Sequence, residues 1–331
     1  MSHQSPWDDI DMPDFYSKDY VPSHQQDDNK YLLRDPRKIK EYLDSKVFMM
    51  EDAKKALSMF VYKAIAKRSR SEKVIMLIGE TSCGKSHICS VLSEIVPNMV
   101  FCDGGSLVPQ GFKGGNYITT ALSRLDLSND TPGFIVIDEF NRTLEKGTGF
   151  WSDSSLLSEL LVLFDDKTAK INVSSDSSKQ IFASPANLYW ILLGSFSNIT
   201  DKSSGKSKPI GFNATISNPD NTPRPQITKD DVWDYLSDWP ELRGRISRII
   251  AIPNNDDRAL LRILEDPTVG PVSVLERELG LSINVTKKRI RQIAKDTFAA
   301  GTGVRGAKNM LLDEIDEILF NDPDTKEIFI K

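Results

Sequence analysis

The sequence predicts an α/β protein: a parallel sheet sandwiched by helices, followed by a small, mainly α-helical domain. Three observations carry that expectation. The apolar run Val74–Ile78 ends in the turn Gly79-Glu80-Thr81-Ser82-Cys83-Gly84-Lys85-Ser86, after which Ile88, Val91, Leu92 and Ile95 recur at helical spacing. A second apolar run, Phe134–Ile137, ends in Asp138-Glu139. Two more unbroken runs, Leu188–Leu193 and Ile249–Ile252, alternate with helical patterns, as strands covered on both faces do.

Composition narrows the function classes. With 331 residues, 39% hydrophobic and 27% charged, the chain has room for two domains with substantial cores. No run reaches the length of a membrane span, and the polar, acidic start argues against a secretory leader, so a cytoplasmic protein without membrane contact is expected. A net charge of −5 gives no general surface for nucleic acid, which is not expected as a partner. Cys83, Cys89 and Cys102 show no metal-ligand spacing with one another or with His3, His24 and His87. A structural zinc site is therefore not expected, and free thiols suit a reducing compartment.

Residues 1–34 form an acidic stretch, with Asp8, Asp9, Asp11, Asp14, Asp19, Asp27 and Asp28 among scattered aromatics and no periodicity. Disorder is expected there. Asp35-Pro36 reads as an N-cap with proline at the first helical position, followed by Ile39, Leu43 and Val47 on one face. A second helix begins near Glu51. The turn after Val74–Ile78 is the Walker A pattern in its required context of strand, loop and helix. Its backbone N–H groups and the helix N-terminus suit phosphate, Lys85 reaches the β- and γ-phosphates, and the Ser86 hydroxyl suits Mg²⁺. The chain therefore reads as a binder of nucleoside triphosphate. Cys83, inside the loop, reads as a small filler.

Met99–Cys102 is a further strand, and Ile118, Leu122 and Leu125 mark a helical face. Asp138 and Glu139 then form a Walker B pair at the sheet's C-terminal edge, where open α/β sheets bind ligands. Asp138 would hold Mg²⁺ through water and Glu139 would activate the attacking water. A helix is expected over Ser155–Phe164. Residues 201–228 are poor in apolar residues except for Ile210-Gly211-Phe212 and read as a long flexible loop. The large ATPase domain is taken as 35–252 and the small domain as 253–331. The small domain should carry helices near 257–264 and 274–279, a strand near Ile283–Val285 and two more helices. That strand, with the acidic total, argues against a DNA-binding helix-turn-helix despite Lys287, Lys288, Arg289 and Arg291.

Over about residues 36–320 the chain resembles the AAA+ module of the ClpX family of protein-unfolding ATPases, and less closely that of HslU. Pro36, Ile39, Leu43-Asp44 and Val47, then Ala53-Lys54-Lys55 and Val61-Tyr62, match the segment that cups adenine in that family. The resemblance implies nucleotide contacts from Val47, Phe48, Thr81, Ser82, Cys83, Gly84, Lys85, Ser86, His87 and Asp138. Gly111-Phe112-Lys113-Gly114 stands where the family has its pore loop. Gly244-Arg245 stands where it has the arginine finger, which acts on a neighbour's nucleotide and so implies a ring. Gly303-Val304-Arg305-Gly306-Ala307-Lys308 stands in place of sensor 2, with Lys308 taken as the phosphate-reaching residue. Ile210-Gly211-Phe212 matches the tripeptide that docks on the ClpP peptidase ring.

What the resemblance implies is ATP and Mg²⁺ as cofactors, a homo-hexamer, polypeptide threading driven by Phe112, and delivery to a ClpP-like peptidase. The departures are specific. The acidic stretch 1–34 does not match the family's amino-terminal zinc-binding domain, which is not expected here. Phe48-Met49-Met50 replaces Ile-Gly-Gln, Lys113 replaces an aliphatic residue, Phe140-Asn141-Arg142 replaces Ile-Asp-Lys, and Lys308 replaces arginine. A remodelling factor working without a peptidase is the alternative. A DNA-associated motor is the more remote one.

Overall fold

The computed structural model describes residues 31–66, 72–110, 116–127, 131–145, 154–165, 171–172, 182–196, 199, 226–253 and 257–331. The pore-loop residues Gly111, Phe112, Lys113 and Gly114 and the tripeptide Ile210, Gly211 and Phe212 lie outside them. So does the acidic stretch up to residue 30.

Two helices open the described chain, α1 (Pro36–Asp44) and α2 (Glu51–Ile65). Asp35 caps α1, its carboxylate accepting the Arg37 N–H at 2.9 Å, with Pro36 at the first position. The central sheet is built from β1 (Val74–Ile78), β2 (Met99–Asp103), β3 (Gly133–Asp138), β6 (Leu188–Gly194) and β7 (Arg248–Ala251). All its pairings are parallel, and the order is β2-β3-β6-β1-β7. β1 is wholly buried because helices cover both faces. Its side chains divide by the two-residue period of a strand. Val74, Met76 and Ile78 enter one core with helices α4 (Ile118–Leu122), α5 (Phe140–Glu145), α6 (Ser154–Phe164), α7 (Lys229–Tyr235) and α8 (Pro240–Arg245). Ile75 and Leu77 enter the other, with α1, α2 and α3 (Lys85–Ser93).

The expected strands and helices are present, with shifts that have local causes. Helix α4 stops at Leu122, and Leu125 is buried beyond it in a turn. The turn foreseen at Val232 is a full helix, α7, because Thr228 and Asp231 form a reciprocal capping box. A short antiparallel pair, β4 (Ile171–Asn172) with β5 (Phe182–Ala183), was not foreseen.

A third core draws only on residues from Leu260 to Ile330. It is made by α9 (Asp257–Glu265), α10 (Pro271–Leu279), β8 (Ser282–Val285), α11 (Lys287–Ala299), α12 (Gly303–Asn321) and β9 (Glu327–Ile330). β9 lies parallel to β8 and sends Ile328 and Ile330 inward while Phe329 stays exposed. Among the described residues no helix is long and apolar enough to cross a membrane.

A charge cluster fixes the joint between α1 and α2. Lys54, only 3% exposed, lies 3.0 Å from Asp44 and 3.3 Å from Glu51, and Lys40 reaches the same two carboxylates. Burial would raise the Asp44 carboxyl, but hydrogen bonds from Lys40 and Lys54 outweigh it and hold it below its ordinary range. At Glu51 the Lys40 hydrogen bond dominates and acts in the same direction. Carboxyl groups depressed in the folded state contribute stability above their unfolded pKa, about 4, and lose it as pH falls through the folded value. Lys54→Met is therefore expected to cost about 1–2 kcal/mol at neutral pH, discounted because both carboxylates reach solvent. Denaturant unfolding between pH 7 and pH 3 should also show a shallower acid loss in this variant than in the parent.

Candidate nucleotide site

The site sits at the carboxyl edge of the sheet, where β1 and β6 end in register at Ile78 and Gly194, and β2 and β3 at Asp103 and Asp138. The loop after β1 turns through left-handed backbone at Ser82 (φ 66°) and Gly84 (φ 98°). Gly84 is required by its φ, which suits only glycine without strain, and the end of the Met50 side chain lies over it, 2.4 Å from where a Cβ would be. Lys85 is buried, and its ammonium donates to the carbonyls of Gly79 and Glu80, both at 2.8 Å. The loop thus holds its own cation at its centre.

Across the edge, the Ser86 hydroxyl donates to Asp138 Oδ2, while Asp138 Oδ1 accepts the Glu139 N–H at 2.8 Å. A hydroxyl and a carboxylate in contact form the hard-oxygen set that Mg²⁺ prefers, and such sites supply few protein ligands because phosphates complete the shell. Among the described residues no group of three or more His, Cys, Asp or Glu side chains could hold a metal ion. Glu139 follows in a left-handed conformation (φ 52°), and its carboxylate pairs with Arg142 Nε at 2.7 Å. Asn141 is buried and accepts the Ser195 N–H at 3.1 Å, linking this turn to the end of β6.

Of the base-side residues, Val47 is buried and Phe48 half-buried. His87 Nε2 lies 3.3 Å from the Lys46 carbonyl, joining α3 to this segment. Met49 and Met50 both adopt left-handed backbone, at φ 57° and 62°. Each conformation costs a residue with a Cβ about 1–2 kcal/mol, and the Met50 thioether lies against Gly84. Thr81 is exposed and Ser82 half-buried in the loop. Cys83 is buried, and burial pushes its thiol up despite neighbouring Lys85, so it remains a protonated filler at neutral pH. Burial pushes Cys102 up to about 12.

Lys308 is disposed differently from the expectation, and Arg245 lies apart from Lys85, as expected of a residue that acts on a neighbour. Lys308 does not extend toward the loop: its ammonium is bound by the two Glu278 oxygens at 2.8 and 3.0 Å, bridging α12 to α10. Arg305, in the first turn of α12, is exposed and without a hydrogen-bond or ion-pair partner among the described residues. Its neighbour Gly303 touches the phosphate loop, for a Cβ there would lie 3.3 Å from Ser82. Arg245 is not near Lys85 in any hydrogen bond; it pairs with Asp165 at 2.9 Å and remains 41% exposed. Beside it, Asp230, Trp233, Asp234, Pro240, Arg243 and Gly244 line an open cleft of about 700 Å³. Met50, Asn141, Arg142 and Arg305 were not among the residues expected here, and the first three lie beside the loop or the Asp138 turn. Only Arg305 had a legible signal, because the hexapeptide Gly303–Lys308 carries two cations and helix geometry puts Arg305 nearer the N-terminus.

The pattern matches known proteins over almost its whole length. No protein-family model matches the chain. Three curated relatives are each 24% identical to it. They are the ATP-dependent Clp protease ATP-binding subunit ClpX 2 of Wolinella succinogenes, over 92% of this chain and 82% of the relative, and the subunits named ClpX of Treponema denticola (96% and 84%) and Azotobacter vinelandii (89% and 76%). Matches of this extent, on a five-stranded parallel sheet that brings Lys85, Ser86 and Asp138 to one edge, make the chain similar to the ClpX subunits over about nine-tenths of its length.

Proposed function

We propose that this protein hydrolyses ATP and uses the energy to unfold and thread polypeptides, as one subunit of a homo-hexameric ring. The observation that carries the reading is the Ser86–Asp138 contact, with Lys85 behind it and Glu139 beside it. A metal held by Ser86 and Asp138 would neutralise charge on the phosphate oxygens. Lys85 would turn from its loop carbonyls to phosphate, and Val47, Phe48 and His87 would flank the base. Glu139 would orient the attacking water and accept its proton. The ATP-binding role named for the relatives supports this assignment.

The residues from 253 onward act as a lid domain, and Arg305, rather than Lys308, is its contribution to the phosphates. Arg245, exposed and paired only across its own surface, is assigned to a neighbour's nucleotide. Phe112, on Gly111–Gly114, would grip the threaded chain, and Ile210–Phe212 would dock a ClpP-like peptidase, as the relatives' names support. The buried free thiols suit work in a reducing cytoplasm.

Phe112→Ala tests the threading step. It should abolish unfolding of a tagged fluorescent protein while leaving ATP turnover within about twofold, because the site's residues are untouched. Unimpaired unfolding would remove threading and favour a remodelling factor that acts by assembly. Deleting Ile210–Phe212 in the same assay should remove only peptidase-coupled degradation.

A further inference from the structure

We infer that Arg142 is a positioning residue that latches Glu139 away from its water, so that ATP turnover is restrained until the pair opens. The inference rests on the assignment of Glu139 as the water-activating group.

The local geometry is specific. Glu139 Oε2 meets Arg142 Nε at 2.7 Å, one helical turn onward. One of the carboxylate's roughly four lone-pair sites is then occupied by a guanidinium N–H, and the pairing ties the side chain toward Arg142. The turn leaves the carboxylate little choice while the pair is closed. Glu139 has left-handed backbone, its N–H is bound to Asp138 Oδ1, and its carbonyl accepts the Arg142 N–H at 2.9 Å.

The latch also has a seat. A Cβ on Gly105 would lie 3.3 Å from Arg142 Cδ, 3.5 Å from Nη1 and 3.2 Å from Asp103 Oδ1. The guanidinium arm therefore lies along bare backbone just past β2. Gly104 beside it is fastened to the same turn, its N–H donating to the Asp138 carbonyl at 2.7 Å and its carbonyl accepting from Thr143 at 3.2 Å. A side chain at 105 would contend with Arg142 for this space.

The restraint is modest by construction. Arg142 is 57% and Glu139 37% exposed, and pairs of that exposure shift an equilibrium by about 2–5-fold. That suits a pair meant to open in each cycle rather than a permanent block.

Steady-state ATP turnover of the full chain should separate the possibilities. Arg142→Gln is expected to raise kcat about 2–5-fold with the KM for ATP unchanged, since Glu139 is freed while the phosphate loop is untouched. Arg142→Lys, which keeps a cation at helical reach, should stay near the parent value. Gly105→Ala should raise kcat without removing any charge, by displacing the arm from its seat. Thermal unfolding of each variant identifies any that fails to fold. Lys85→Ala in every background identifies turnover that comes from this site. If Lys85-dependent turnover is present and Arg142→Gln leaves kcat unchanged or lowers it, the latch is overturned and the ATPase assignment stands. If the parent shows no Lys85-dependent turnover, the ATPase assignment fails, and the latch falls with it.

Discussion

Glu139→Gln will bind ATP and hardly hydrolyse it. The amide keeps the shape of the side chain and can still reach Arg142, but it has no carboxylate to accept a proton from water. General-base contributions run to about 10²–10⁴-fold, so kcat should fall by that order. Asp138, Ser86 and Lys85 contact one another or the loop without involving the Glu139 side chain, so nucleotide affinity should change little. Equilibrium binding of a fluorescent ATP analogue, measured beside phosphate release, checks both halves. A loss of binding equal to the loss of turnover would mean that Glu139 organises the site rather than acts in it. The same variant, held in its ATP-bound form, should retain its protein substrates through purification and so identify them.

Arg245→Ala should abolish turnover in homogeneous preparations and regain part of it when mixed with Glu139→Gln subunits. The first half follows from the magnitude of an arginine finger, about 10³–10⁵-fold. Stability should barely move, because the Arg245–Asp165 pair is an exposed one, of a kind worth about 0–1 kcal/mol. Recovery on mixing follows from geometry. An Arg245→Ala subunit keeps its own Glu139, and a Glu139→Gln neighbour supplies the missing arginine, so mixed interfaces are complete where uniform ones are not. Turnover that stays at the arithmetic average of the two preparations would show that Arg245 works within its own chain, or not at all.

Much of the fold was legible because its central strands are buried on both faces. Val74–Ile78, Phe134–Ile137 and Leu188–Leu193 read as unbroken apolar runs, and the glycine turn and acidic pair at their ends mark the site's edge. Asp35-Pro36 announced its helix by chemistry that acts within three residues. Strand β9 was not legible: Glu327–Ile330 is four residues long, and its partner β8 lies on the far side of two helices. The left-handed Met49 and Met50 were equally hidden, since nothing in a methionine favours that backbone. At the site, residue types and spacing were sufficient to place Lys85, Ser86 and Asp138 at one edge, because loop and strand fix that geometry. They were not sufficient for Lys308 or Arg142, because each is committed by a particular carboxylate, Glu278 or Glu139, that only side-chain placement reveals.

The contact between Gly303 and Ser82 has a mechanical consequence. Helix α12 starts at the phosphate loop and runs 19 residues to Asn321, roughly 28 Å at 1.5 Å per residue. Pivoted at its first turn, such a rod converts a tilt of about 5° into a sweep of roughly 2–3 Å at its far end. Leu311 and Ile315 are fully packed along its length, so the third core would travel with it as one body. A displacement at Ser82 too small to disturb the sheet is thereby magnified by leverage alone into one large enough to reposition a neighbouring surface.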